Sequence, residues 1–479
     1  TTVGQWGRIV GFKGPGCSSA RGCSYSLDRG SQPGGPDSFH LSDNTPFTGD
    51  VSNSNEQMHV QTPIKRDSLF VDARMDLNDQ IRFNTQLAYN RRTTTRQIAG
   101  YPFQSGAAGI APMSADSWFN PFGRHHGYER PSDVHWNRRT WEIPRVSTSE
   151  LTTWQGVAAF EGSFQFAGRD FDWEAGYQYN RSELEQRATG NLHKQRVADS
   201  TGPSFYNPAT GKVECGTPDA PIAGCKPWNP LVPYGQDDPY GLTGNGELQD
   251  WLFPEDLTRG RNTTRNLFAS LSGGLATLPA GELGFALGVE SRREEGRFIP
   301  DALAQTGATT NLAAGPTGGG YRVDEAYLEL SVPVLSDLPG ARQLTLDMAT
   351  RYSDYTTFGG TLNSKFGISW KPIDQLLVRG TWAQGFRAPT ISNLYGGGSQ
   401  TFTTGFRDPC DTVYGAAASS PEVRARCAAD IANADSYRQL GQGNEPITGS
   451  SGQTPLPFTN GSNPDLKPET STSRTLGLV

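Results

Sequence analysis

The sequence predicts an all-β protein, a transmembrane antiparallel up-and-down β-barrel, and three observations carry that expectation. Hydrophobicity alternates with a period of two through many segments, and long and short connections alternate between those segments. The chain is also poor in hydrophobic residues, at 35%, yet carries 10% aromatics with 57 Gly and 33 Pro. Ordinary globular domains run at about 45–50% apolar. This balance suits one curved sheet with an apolar face and a wet face, which can extend to 479 residues as one unit. Disorder is the other reading of low hydrophobicity, and the ordered alternation with a net charge of only −7 argues against it.

The first hairpin sets the pattern. Leu69, Val71, Ala73, Met75 and Leu77 alternate with Phe70, Asp72, Arg74 and Asp76. Beyond Asn78-Asp79, Ile81, Phe83, Thr85, Leu87 and Tyr89 alternate with Arg82, Asn84, Gln86 and Asn90. The second hairpin sets Phe160, Phe164 and Phe166 against Glu161 and Gln165, turns at Gly168-Arg169-Asp170, and returns with Phe171, Trp173, Ala175 and Tyr177 against Asp172, Glu174 and Gln178. Later segments repeat it at Leu283–Val289, Ala326–Val332, Leu344–Met348 and Leu362–Trp370. Successive side chains of a strand point to opposite faces, so each segment has one apolar face.

The connections decide between sandwich and barrel. Tight turns fall at 77–80, 167–170, 277–282, 336–341 and 371–375, and long connections at about 14–65, 96–152, 187–262, 298–319 and 388–470. A compact exception sits at Ser353–Gly360. Strict alternation collects the long loops at one end of the sheet and the turns at the other, as in outer-membrane barrels; a sandwich spreads its loops over both ends. About twelve strands of roughly 9–16 residues follow from these bounds. Tyr89, Trp154, Trp173, Tyr179, Tyr352, Trp370 and Trp382 suit the aromatic girdles of such a barrel. Its lumen is expected to carry Asp72, Arg74, Arg82, Glu161, Asp172, Glu174, Glu290, Glu325, Glu329, Asp347 and Arg351.

No run approaches the about 18 apolar residues of a helical span. With no basic cluster, nucleic acid is excluded as a partner. The six cysteines fall into local pairs within Gly/Pro/Ser-rich loops: Cys17 with Cys23, Cys215 with Cys225, and Cys410 with Cys427. Three loop-closing disulfides, each worth roughly 2–3 kcal/mol, are expected, and with them an oxidising compartment. Neither CxxC nor histidine ligand spacing is present, so no zinc site or other cofactor is expected. No GxSxG or HExxH pattern occurs, and the chain is not expected to be an enzyme. The loop around Trp118, His125, His126 and Tyr128, and Trp228 in a second loop, are the candidate ligand-contacting residues. Aromatic planes suit sugar rings, while adjacent histidines in an extended chain would point apart and make poor joint metal ligands.

Three motifs in order give the chain a resemblance: Arg351-Tyr352-Ser353-Asp354-Tyr355 before Phe358-Gly359-Gly360, then Gly385-Phe386-Arg387-Ala388-Pro389-Thr390-Ile391, then Asn463-Pro464-Asp465-Leu466-Lys467-Pro468-Glu469-Thr470. Together they resemble the TonB-dependent outer-membrane receptors, and the Asn120-Pro121-Phe122-Gly123 and Cys225–Pro230 loops do so more loosely. The motifs read as structural, since Pro389 ends a strand and Asn463-Pro464-Asp465 turns the chain into the next one. The resemblance implies part of a barrel of about 22 strands. It also implies a lumen-filling plug, TonB as partner through a segment not in residues 1–479, and a place in the bacterial outer membrane with its loops outside. Thr1 is not a natural start and Val479 falls within an apparent strand, so residues 1–479 are expected to be a partial barrel.

The implied function is energised uptake of a scarce nutrient; a passive porin or adhesive surface barrel is the alternative. The loops are rich in amides and aromatics with few clustered cations, so an oligosaccharide- or peptide-like ligand is favoured over a negatively charged ferric siderophore.

Overall fold

The computed structural model describes residues 3–19, 22–45, 49–105, 111–402, 407–440 and 457–479. Parts of three expected loops (20–21 and 46–48 in 14–65, 106–110 in 96–152, and 403–406 with 441–456 in 388–470) lie outside the described residues.

Eleven strands form one antiparallel meander: β1 Ile64–Asn78, β2 Ile81–Ile98, β3 Arg145–Phe166, β4 Arg169–Thr189, β5 Asp256–Leu278, β6 Gly281–Ile299, β7 Thr317–Leu338, β8 Ala341–Tyr355, β9 Gly359–Ile373, β10 Leu376–Arg387 and β11 Glu469–Leu478. Each pairs with its neighbours in sequence, and β1 and β11 are the two edges among the described residues, so the sheet is open. All five tight turns lie at one end and the long connections at the other. The β3–β4 turn shows why the turns are tight: Ala167 at φ +52 and Gly168 at φ +72 give both central residues the left-handed backbone whose twist matches a two-residue hairpin.

The register divides the sheet into two faces. Val71 lies opposite Leu87 and Phe83 opposite Phe160, and the same face carries Trp173, Leu287, Leu328, Met348 and Phe366 on later strands. This apolar face is uncovered, with Leu69 at 63% and Leu87 at 54% exposure. Water would not leave so broad a surface bare, and lipid would cover it. The other face carries Asp72, Arg74, Arg82, Glu161, Asp172 and Glu329, as the alternation requires, with Arg82 bridging Asp76 (2.7 Å) and Glu161 (3.3 Å). Tyr89 and Trp154 pack ring against ring at 4.5 Å where the apolar face ends on the long-loop side.

Above that ring pair the polarity inverts. On the face continuous with the apolar one, Glu183 accepts from Arg181 (2.5 Å) and Arg261 (3.1 Å), and Glu185 from Arg187 (2.9 Å) and Arg259 (3.4 Å). On the opposite face the same rows hold Ser182, Leu184, Asn262 and Thr264, all neutral. The inversion exists because several strands outrun the expected length, β5 reaching 23 residues.

Among the described residues eleven strands form the sheet, in keeping with the about twelve expected, and Arg8–Phe12 is instead the central strand of a separate five-stranded sheet with Phe39–Leu41, Cys23–Leu27, His135–Arg139 and Pro102–Gln104. The long loops carry structure of their own. Segments from the first three, together with Arg8–Phe12, fold into one head with its own core, where Ile9, Phe103, Phe122, Trp136, Trp228 and Leu231 are essentially inaccessible. Amphipathic pieces such as the helix Gly246–Leu252, capped by Asn245 Oδ1 accepting from Leu248 N at 3.1 Å, bury Leu248 and Leu252 there.

Inside this core Arg138 is wholly buried. It pairs with Glu142 and donates to the carbonyls of Val232 and, at 3.4 Å, Pro230, tying one loop to another. Burial pushes its guanidinium down from its ordinary value while Glu142 pulls it back. The disulfides Cys17–Cys23, Cys215–Cys225 and Cys410–Cys427 all form, each within one loop, as expected from their spacing.

Candidate ligand-binding chamber

The neutral upper rows of β3–β7 form one wall of a chamber of about 1170 Å³ on the polar face, at the long-loop end. Its other wall comes from two of the motifs. Pro389 stops β10, and Thr390 starts the helix Ile391–Tyr395 with a reciprocal cap: Asn393 N donates to Thr390 Oγ1 (3.2 Å) and Thr390 N to Asn393 Oδ1 (3.0 Å). This helix docks on β6 and β7. Ile391 lies over Gly296, and the Tyr395 ring occupies the place of a side chain at Gly319, where a Cβ would stand 2.2 Å from the ring. Glycine inside a strand here serves a close approach.

The third motif completes the wall. Asn463 N donates to the Asn393 carbonyl at 2.9 Å, and Asn463 Oδ1 takes the Asp465 amide at 2.9 Å in an Asx turn. Each of these two motifs thus holds the other in place. The first motif adjoins them: Tyr355 lies 5.7 Å from Tyr321, which lines the chamber, and 4.5 Å from Phe358. Beside it Arg351 donates to Glu290 (2.9 Å) and Glu325 (3.0 Å), and Ser353 Oγ donates to Glu325.

The chamber's side chains are amides and hydroxyls, notably Ser182, Asn262, Thr264, Asn393, Asn460 and Asn463, with apolar Leu184, Ile391 and Leu466. Arg261, Arg297 and Glu295 touch it from strands whose odd-numbered residues belong to the opposite face. Glu294 is on the chamber's face, where it forms an ion pair with Arg292 at 3.1 Å. Such a surface can hydrogen-bond a neutral polar molecule along its length without a concentrated charge.

The sequence-derived candidates lie in the head and not in this chamber. Trp228 is fully buried in the head core, edge to face with Trp136, and offers no surface to a ligand. Trp118 is half-buried between His125 (4.9 Å) and Tyr206 (5.8 Å), and Tyr128 packs on Phe122 at 5.2 Å. The two histidines are not in extended chain but in one helical turn, Arg124–His126. His125 Nε2 lies 3.2 Å from the Asp116 carbonyl and His126 Nε2 3.1 Å from that of Trp118. Burial lowers the His126 pKa. Among the described residues no group of three His, Cys, Asp or Glu could hold a metal ion.

The chamber itself was missed in the sequence. Its available signals were Gly318-Gly319-Gly320 inside an otherwise regular strand and the Thr390/Asn393 cap.

A family model described as TonB dependent receptor-like, beta-barrel, matches residues 232–479. The solved siderophore receptor PirA from Acinetobacter baumannii is similar at 13% identity and a TM-score of 0.30, over 87% of this chain and 50% of that one. A structure of the ferric enterobactin receptor PfeA from Pseudomonas aeruginosa, in complex with enterobactin, matches at 10% identity and a TM-score of 0.27, over 88% and 52%. The chain thus spans about half the length of these solved structures. No curated protein sequence matches it.

Proposed function

The chain belongs to the TonB-dependent receptor-like β-barrel family, whose members are outer-membrane transporters and not enzymes, and from that premise we propose that it forms the wall and vestibule of a receptor for a neutral nutrient. The long loops face outside, and the ligand is polyhydroxylated or oligopeptide-like. Residues 1–479 supply part of the barrel; the plug and the segment that contacts TonB belong to other parts of the intact receptor. Trp118, His125, His126 and Tyr128 form an outer surface that meets ligand first.

One observation carries the ligand assignment: apart from Glu294, which is paired with Arg292, the chamber's own face is lined by neutral amides, hydroxyls and apolar groups, while the arginines of the same rows belong to the opposite face and only touch it. A negatively charged chelate would be held best by charge-assisted bonds from unpaired cations inside. Sugar hydroxyls and peptide groups pair with amides and hydroxyls, and rings such as Tyr321 and Phe298 add apolar contact.

Calorimetric titration of the full-length receptor with neutral oligosaccharides, oligopeptides and ferric siderophores tests this. The expected result is binding by one of the first two groups, weakened about tenfold, or 1.4 kcal/mol, by Asn262→Ala or Asn463→Ala. Binding of a ferric siderophore alone would overturn it. The runner-up, an open porin, is separated by flux measurements in liposomes, where the receptor should conduct no solute unaided.

A further inference from the structure

We propose that the outward face of the sheet, above its apolar band, binds the phosphorylated headgroup of an outer-leaflet lipid through Arg259, Arg261 and Arg297. The proposal takes the long loops as facing outside and is independent of which nutrient the chamber admits.

A groove of about 450 Å³ lies on this face, lined by Glu150, Glu183, Glu185 and the three arginines. It opens away from the chamber, since residues 183, 185, 259, 261 and 297 alternate with the chamber residues along their strands. Its height follows from the register. On β3, Thr152 and Glu150 stand one and two pleats above Trp154, whose ring meets Tyr89 at the upper end of the apolar face. Below the groove, on the same face of β5 and β6, Leu267 and Val289 are 61% and 56% exposed. A ligand held here has its charged part in the groove and apolar surface directly beneath, which is the layout of a lipid and not of a soluble anion.

The arginines are prepared for phosphate. Glu185 holds Arg259 through Nε at 3.4 Å, and Glu183 holds Arg261 through Nε at 3.1 Å. Among the described residues neither guanidinium has another hydrogen-bond partner, so the Nη groups of both are left for a ligand. Arg297 is exposed and has no ion-pair partner among the described residues. The glutamates do not cancel this charge, because Glu150 is already paired with Arg91 (2.6 Å) and Glu183 and Glu185 are shared with Arg181 and Arg187. Planar forks with fixed orientation favour bidentate contact with phosphate oxygens.

The test uses the full-length receptor extracted from outer membranes in mild detergent, as wild type and as the triple variant Arg259→Gln/Arg261→Gln/Arg297→Gln. Native mass spectrometry counts the phosphorylated lipid retained per chain. Wild type should retain it through washing, and the triple variant should lose retention by about tenfold or more, since each charge-assisted contact is worth several-fold. Millimolar inorganic phosphate should not displace the lipid. Equal retention by the triple variant would overturn the proposal, as would complete displacement by inorganic phosphate, which would indicate a site for a free anion only. If the triple variant fails to fold, as judged by its heat-dependent migration in gels, Arg261→Gln and Arg297→Gln are read singly by the same criteria.

Discussion

Trp136 and Trp228 come from different loops and meet at 5.3 Å with their rings at 89°, both fully buried. The contact fuses two connections into one body. Trp228→Ala should therefore destabilise the head by about 3–5 kcal/mol, the cost of emptying a large aromatic site. Protease cleavage within 187–262 should become rapid while the barrel strands stay protected. Unchanged cleavage would mean that the loops do not share a core.

Arg138 and Glu142 offer a second probe of the head. Arg138→Met removes one partner of a buried pair and leaves the Glu142 carboxylate without its countercharge, with only the Thr243 hydroxyl donating to it, and two carbonyls unmet, at a cost of about 3–5 kcal/mol. Glu142→Gln alone should cost less, because its amide oxygen can still accept from Arg138. Thermal melts of the loop signal in near-ultraviolet dichroism would rank the two, and the reverse order would contradict the placement of Arg138.

The assignment of faces is tested on one strand by two neighbours. Leu87→Arg places a cation on the apolar face and should cost about 2–4 kcal/mol if it sits near the bilayer midplane. Gln86→Arg faces Asp72, which Gln86 Nε2 now bonds at 2.9 Å, and should cost little. Equal effects in urea unfolding from bilayers would contradict the register.

Gly319→Val collides with the Tyr395 ring, whereas Gly318→Val meets open space, with nothing within 4 Å of its Cβ. Overpacking typically costs about 1–3 kcal/mol. The first variant should shift the helix Ile391–Tyr395 and weaken nutrient binding, and the second should leave binding unchanged. Titration of both variants decides, and identical behaviour would separate the chamber from ligand binding.

Asp411 supplies a pH prediction. Its side chain is buried, which opposes ionisation, but amides of Tyr414, Val413 and Gln439 and the Arg438 guanidinium outweigh burial and hold its pKa below the ordinary value. Its stabilising contribution is thus complete above the ordinary Asp range and fades as pH falls through the lowered value. The protection of the Gln439 amide against hydrogen exchange, corrected for the intrinsic rate at each pH, should fall on acidification in the wild type. Asp411→Asn should show low protection at every pH, and a pH-independent protection factor in the wild type would sink the idea.

The strands were readable because their signal is local. Leu87 beside Gln86 already states which face is apolar, and Ala167-Gly168 lies where a two-residue turn must. Each disulfide was readable for the same reason, since Cys17 and Cys23 close a loop too short to allow many partners. The head was not readable, because no window of sequence contains both Trp136 and Trp228, and their flanking Gly, Pro and Asn read as ordinary loop. The chamber failed for a related reason. The Pro389 and Asn463 motifs read correctly as turn and strand-end chemistry, but their joint closure depends on Asn463 reaching Asn393 and on Gly319 admitting Tyr395.

The reversal of polarity above the Tyr89–Trp154 ring pair gives the sheet a fixed draught, like the waterline of a hull. Sinking would carry Arg181, Glu183 and Arg261 into hydrocarbon, and midplane cations there cost about 2–4 kcal/mol each. Rising would lift Leu267 and Val289 into water. The charged rows above and the apolar rows below thus fix one height for the sheet, and the strands can neither bob nor piston.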